Sequence, residues 1–99
     1  MIYGMTEQQF HILDELVIQP LKKHGAQVYI FGSRATGSHH PHSDVDLLYR
    51  LVAKTPEGFI SSIKEAIEES RFPFAVDLVA DDDLAASYRG NVMGTMKQL

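Results

Sequence analysis

The chain has 99 residues, 44% hydrophobic and 22% charged. These are the proportions of an ordinary globular protein, and they exclude a disordered tail, a collagen-like repeat and a coiled coil while predicting one domain over residues 1–99. A net charge of −4 argues against a general grip on nucleic acid, and the absence of Cys removes disulfides, thiolate metal sites and thiol redox chemistry.

Met1-Ile2-Tyr3-Gly4-Met5 lacks the basic start and apolar stretch of a signal peptide, and no apolar run reaches membrane length, so a cytoplasmic protein with no membrane partner is expected. Thr6 and Gln9 form a capping box that predicts a helix start at Thr6. Phe10, Leu13, Leu16, Val17 and Leu21 then give one apolar face, and Gly25 stops the helix. Pro20 is discordant and predicts a kink or a restart there.

Val28-Tyr29-Ile30-Phe31 reads as a short buried strand, broken by Gly32-Ser33. Residues 34–41 are small and polar, a helical turn plus loop. A second strand is predicted over 45–52, with Asp44 and Asp46 on one face and Val45 and Leu47 on the other. Thr55-Pro56-Glu57 predicts the next helix start, with Phe59, Ile60, Ile63 and Ile67 as the buried stripe. A third strand is predicted over 74–80. Asp81–Asp83 should open a weaker final helix containing Leu84, Tyr88, Val92 and Met96 at spacing four, weakened by Gly90 and Gly94. Tyr88, Val92, Met93 and Met96 are expected to cover the sheet, a reading preferred over a Met-rich partner surface. This order predicts an α/β (α+β) fold, a small mixed sheet covered by helices.

Three features point to chemistry. Gly32-Ser33 after a buried strand allows a sharp turn and close approach of a ligand, and free N–H groups at a short helix start would receive an anion. Gly-Ser is also common turn chemistry. Asp44 and Asp46 are two residues apart on a strand, so their carboxylates crowd one patch, and hard cations such as Mg²⁺ select such oxygens. The same pair also fits an exposed strand face. Asp77 lies within an apolar strand, where an acid is costly unless paired, metal-bound or turned outward. If its strand neighbours that of Asp44, three carboxylates converge, enough for two metal ions and in-line phosphoryl or nucleotidyl transfer.

The stretch from Phe31 to Gly37, followed by Ser43-Asp44-Val45-Asp46-Leu47, resembles the signature of the DNA polymerase β-like nucleotidyltransferase superfamily: Gly-Ser, ten residues, Asp-x-Asp. Asp77 stands where the family's third carboxylate is expected. The small size is similar to the minimal, MntA-type nucleotidyltransferases that are paired with a HEPN-domain partner. The resemblance implies the nucleotidyltransferase fold core, with Asp44, Asp46 and Asp77 as catalytic residues ligating two Mg²⁺ ions. It implies that Gly32 and Ser33 hold the β- and γ-phosphates of ATP or another nucleoside triphosphate, assisted by Arg34. The implied reaction moves a nucleoside monophosphate to a hydroxyl, here a tyrosine of a HEPN toxin, making the chain an antitoxin. A non-catalytic binding antitoxin and a small-molecule nucleotidyltransferase are the alternatives.

Larger members carry a further helical domain, so either a partner, a chain of its own kind or another, is expected to supply the missing wall, or the chain binds weakly and acts little alone. His39, His40 and His42 cluster between the motif halves. A polar loop is the preferred reading over a transition-metal site, because adjacent histidines diverge. Protonated, they would also approach a triphosphate.

Overall fold

The computed structural model describes residues 1–99. Its first helix begins where the capping box sets it. The Gln9 amide donates to Thr6 Oγ1 at 3.1 Å, and the Thr6 amide donates to Gln9 Oε1 at 2.9 Å. Helix α1 (Glu7–Leu13) runs into a π-helical stretch, Asp14–Ile18, and then into α2 (Gln19–Lys23). Pro20 explains the widened turn. It has no N–H to offer the carbonyl of Leu16, and its ring would strike that carbonyl in a regular helix. The Gln19 amide instead reaches back five residues to the Asp14 carbonyl, and α2 restarts with Pro20 in its first turn. Replacing Thr6 by alanine removes one reciprocal bond of the cap. It should lower stability by about 1 kcal/mol, read as a shifted denaturation midpoint at constant slope.

Strand β1 (Gln27–Phe31) leads through a short helix α3 (Ser33–Thr36) to β2 (Val45–Arg50). Helix α4 (Phe59–Glu68) connects β2 to β3 (Val76–Ala80), the kind of crossover a parallel pair requires. Both strands are two residues shorter than the sequence predicts. The α4 start also differs. Gly58 holds a left-handed φ of 81°, which no helix continues, so Thr55-Pro56-Glu57 forms a turn ahead of the helix instead of its first turn. The stripe is as expected: Ile63 and Ile67 are buried, and Phe59 and Ile60 pack partly against the core.

After β3, Asp81–Asp83 forms a separate 3₁₀ turn, and α5 (Ala86–Thr95) begins only after an extended Leu84-Ala85. The single helix predicted from Asp81 is thereby corrected, and Leu84 and Met96 fall outside α5. The Asp81 carboxylate is engaged elsewhere, 3.3 Å from Arg50 Nε and 3.2 Å from Arg89 Nη1. These pairs hold the turn against the end of β2 and the first turns of α5. A two-residue strand β4 (Lys97–Gln98), with no signal in the sequence, pairs with β1.

The sheet order is β3-β2-β1-β4, with β2 and β3 parallel and the other pairs antiparallel. Alternation divides its two faces. Val28, Ile30, Val45, Leu47, Tyr49 and Leu78 form one core with Leu13, Val17, Ile18 and Leu21 of the first helical run and with Ile63 and Ile67 of α4. The opposite face carries Phe31, Asp46, Leu48, Asp77 and Val79, and α5 lies across it. The expected mixed sheet with covering helices is the observed fold.

Candidate active site

The turn after β1 is built for close approach. Gly32 has φ 74° and ψ −158°, a combination open essentially to glycine alone. A Cβ there would also collide with Asp46 Oδ2. The turn and the acid are therefore packed against each other, and a side chain at this position would have to displace the carboxylate as well as strain the backbone. Ser33 opens α3, which stops after four residues at Gly37, φ 83°. Thr36 Oγ1 and Ser38 Oγ share a hydrogen bond at 2.9 Å beyond it.

Register places the acids. Phe31 pairs with Asp46 across β1 and β2, and Asp46 pairs with Asp77 across β2 and β3. Directly paired residues point to one face, so Asp46 and Asp77 stand side by side. Asp46 is half-buried, while Asp77 and Asp44 are exposed. Asp44 lies in the loop one residue before β2. Burial holds the Asp46 carboxyl above its ordinary proton affinity, and the charges of Asp77 and then Asp44 push the same way, against Arg34. Of the three acids expected to converge, Asp46 and Asp77 are brought into register, and Asp44 is near enough for its charge to act on Asp46. No three Asp, Glu or His side chains are gathered as a metal-ligand group.

Arg34 is placed differently from its expected part at the phosphates. It is 2% exposed, and each of its three nitrogens donates to a backbone carbonyl. Nε and Nη2 donate to Ser43 at 3.1 and 2.8 Å, and Nη1 donates to Tyr3 at 2.9 Å. Burial lowers its pKa, and Asp44 and Asp46 oppose that shift. It does not line the cleft described next. The histidines are not gathered with one another or with acids into a group of three potential ligands. His39 packs against Gly4.

A cleft of about 590 Å³ lies between the sheet and α5. Gly32, Ser33, Thr36, Ser38 and Asp77 make its polar side. Phe31, Val79, Leu84 and Val92 make an apolar side, with Tyr88, Asn91 and Thr95 of α5 completing the wall. The spacing 88, 91, 92, 95 is one helix face. Sequence reasoning missed this wall and assigned Tyr88 to sheet packing. Val92 is indeed 7% exposed, but Tyr88 is 62% exposed and borders open space. A polar stripe at helical spacing was the available signal.

A turn held in a glycine conformation thus abuts Asp46, whose strand neighbour Asp77 lines the adjoining cleft with Gly32. The nucleotidyltransferase domain profile matches residues 12–93, and the chain belongs to this family. Its fold is shared with solved toxin–antitoxin structures. One, a crystal structure of the toxin-antitoxin with AMP-PNP, is 22% identical over 86% of this chain and 70% of that one, at a TM-score of 0.65. A mutant of the toxin–antitoxin MntA–HpeT is 19% identical with the same coverage and TM-score. No curated protein matches the chain significantly. No helix is long and apolar enough to cross a membrane.

Proposed function

We propose that the chain is a Mg²⁺-dependent nucleotidyltransferase that moves AMP from ATP to a hydroxyl of a partner protein, a tyrosine of a HEPN toxin, and so acts as an antitoxin. The observation that carries this reading is the Asp46–Asp77 pair, in register on one sheet face, with Asp46 abutting the Gly32 turn. The similarity to structures of a toxin–antitoxin pair, one of them with AMP-PNP, supports the partner and the nucleotide.

The residues fit divalent cations. Their donors are hard oxygens, and the repulsion that Asp77 and Asp44 exert on Asp46 is of the kind a cation relieves. Asp44, Asp46 and Asp77 would hold the two ions, which when bound neutralise charge developing on phosphate oxygens. Gly32 and Ser33 receive the β- and γ-phosphates. The acceptor oxygen bonds to the α-phosphorus, the bond to the bridging oxygen breaks, and pyrophosphate leaves. Asp77, exposed at the cleft, is the carboxylate placed to draw the proton from the attacking hydroxyl. Replacing Ser33 by alanine removes one donor to a charged phosphate. It should raise the KM for ATP by roughly 10- to 100-fold, with a smaller change in kcat.

The test is incubation of the chain with ATP, Mg²⁺ and its co-expressed partner, followed by mass spectrometry of the partner. A tyrosine peptide heavier by AMP is the expected result, and an unmodified partner overturns the reading. The absence of a preformed three-acid ligand group favours a second reading, an antitoxin that neutralises by binding alone. In that case the Asp44→Ala variant still neutralises the toxin and still forms the complex.

A further inference from the structure

We infer that Arg34 is a positioning residue, a buried strut that fixes the backbone carrying Asp44 and packs on the segment leading into the Asp77 strand, without touching substrate. Only the activity arm of its test rests on the proposed function.

The carbonyl of Ser43 belongs to the peptide unit whose nitrogen is that of Asp44. Two guanidinium donors on that single oxygen, at 3.1 and 2.8 Å, fix the peptide plane from which Asp44 departs. The guanidinium carbon also lies 4.2 Å from the centre of the Phe74 ring. Phe74 comes three residues before Asp77, and the neighbouring Ala75 carbonyl accepts the Val45 amide at 2.8 Å, where the two acid-bearing strands join. The third contact reaches the N-terminal hairpin. Tyr3 has a positive φ of 52°, Ile2 and Met5 bridge, and the Tyr3 carbonyl accepts from Arg34 Nη1 at 2.9 Å. A Cβ at Gly4 would press on His39 and on Nη1 itself, so this turn is shaped around the guanidinium.

Charge is the second strand of the inference. Burying a cation is costly, and an aliphatic residue would fill the same space more cheaply. Arg34 forms no ion pair within 4 Å. It is compensated by two carbonyls, an aromatic face, and the field of Asp44 and Asp46. A planar fork that bonds two carbonyls while stacking on a ring is a task for arginine, and a lysine ammonium cannot reproduce it.

The experiment uses the full chain carrying Arg34→Lys or Arg34→Gln, with Phe74→Leu as a milder variant that keeps the arginine. Amide hydrogen exchange is measured by NMR at residues 43–46 against the core strand amides, and AMP transfer kinetics are measured alongside. Exchange at 43–46 should quicken by roughly tenfold or more relative to the core amides in the arginine variants, and by less in Phe74→Leu. kcat should fall roughly 10²-fold with the KM for ATP within about twofold. Unchanged local exchange overturns the inference. So does a raised KM at constant kcat, the mark of direct phosphate contact. Should the arginine variants not fold, exchange at 43–46 in Phe74→Leu decides, and no change there overturns it. Should the native chain transfer nothing, the proposed function fails while the exchange comparison still decides the role of Arg34.

Discussion

Replacing Asp46 by asparagine is expected to cut AMP transfer by roughly 10²–10⁴-fold, because a carboxylate that would hold the cations opposing phosphate charge is lost, at a cost of several kcal/mol in the transition state. The same variant should be more heat-stable than the native chain near neutral pH. Burial, Asp77 and Asp44 together hold the Asp46 carboxyl above its ordinary value of 3.8. A raised acid pKa means that the folded chain binds this proton more tightly than the unfolded chain does. Stability from this group is therefore present at low pH and lost as pH rises through the window above 3.8. Asparagine, which never ionises, avoids that loss. The gain in melting temperature should vanish at about pH 3, where the carboxyl is protonated in both states. Parallel melting curves and transfer assays at the two pH values check both halves. Equal transfer by the variant removes Asp46 from the chemistry, and an equal or lower melting temperature near neutrality removes the electrostatic account.

Gly32→Ala is expected to damage both stability and activity. The native backbone at this position, φ 74° and ψ −158°, costs an alanine about 1–3 kcal/mol. The added methyl also meets Asp46 Oδ2, so either the turn opens or the carboxylate swings away. Transfer should fall at least roughly 10²-fold, since a displacement of about 1 Å in a positioned group is enough for that. Chemical denaturation and initial-rate kinetics measure the two effects. A variant of native stability and native rate would show that the turn tolerates a side chain and that the contact with Asp46 is incidental.

The parts of the fold that were legible in the sequence are those set by neighbours along the chain. Thr6 and Gln9 satisfy each other three residues apart, the Val28–Phe31 run is apolar and β-rich, and the alternation of Asp46 with Val45 and Leu47 follows the strand period. Register between strands is less local. That Asp77 would stand directly beside Asp46 required β3 to pair parallel to β2, which α4 permits and the sequence alone leaves open. The illegible parts depend on partners far away. Arg34 looks like a third member of a Gly-Ser-Arg phosphate grip until Tyr3 and Phe74 are seen to enclose it. Asp81 looks like a helix opener until Arg50 and Arg89 claim both its oxygens. Gly58 delays α4 by adopting a left-handed conformation that Thr55 and Pro56, good helix starters, do not foretell. The two residues of β4 carry no pattern at all, and β1 supplies their reason for being extended.

The double hold on Asp81 bears on how the roof of the cleft is fastened. Arg50 and Arg89 have side chains 39% and 42% exposed, so ions in solution reach both contacts and weaken them. One carboxylate thus acts as a rivet between the sheet and the helix above it, and ionic strength sets how tightly that rivet grips. Added salt should let the roof lift and the space beneath it breathe, independently of any charge on the molecule that occupies it.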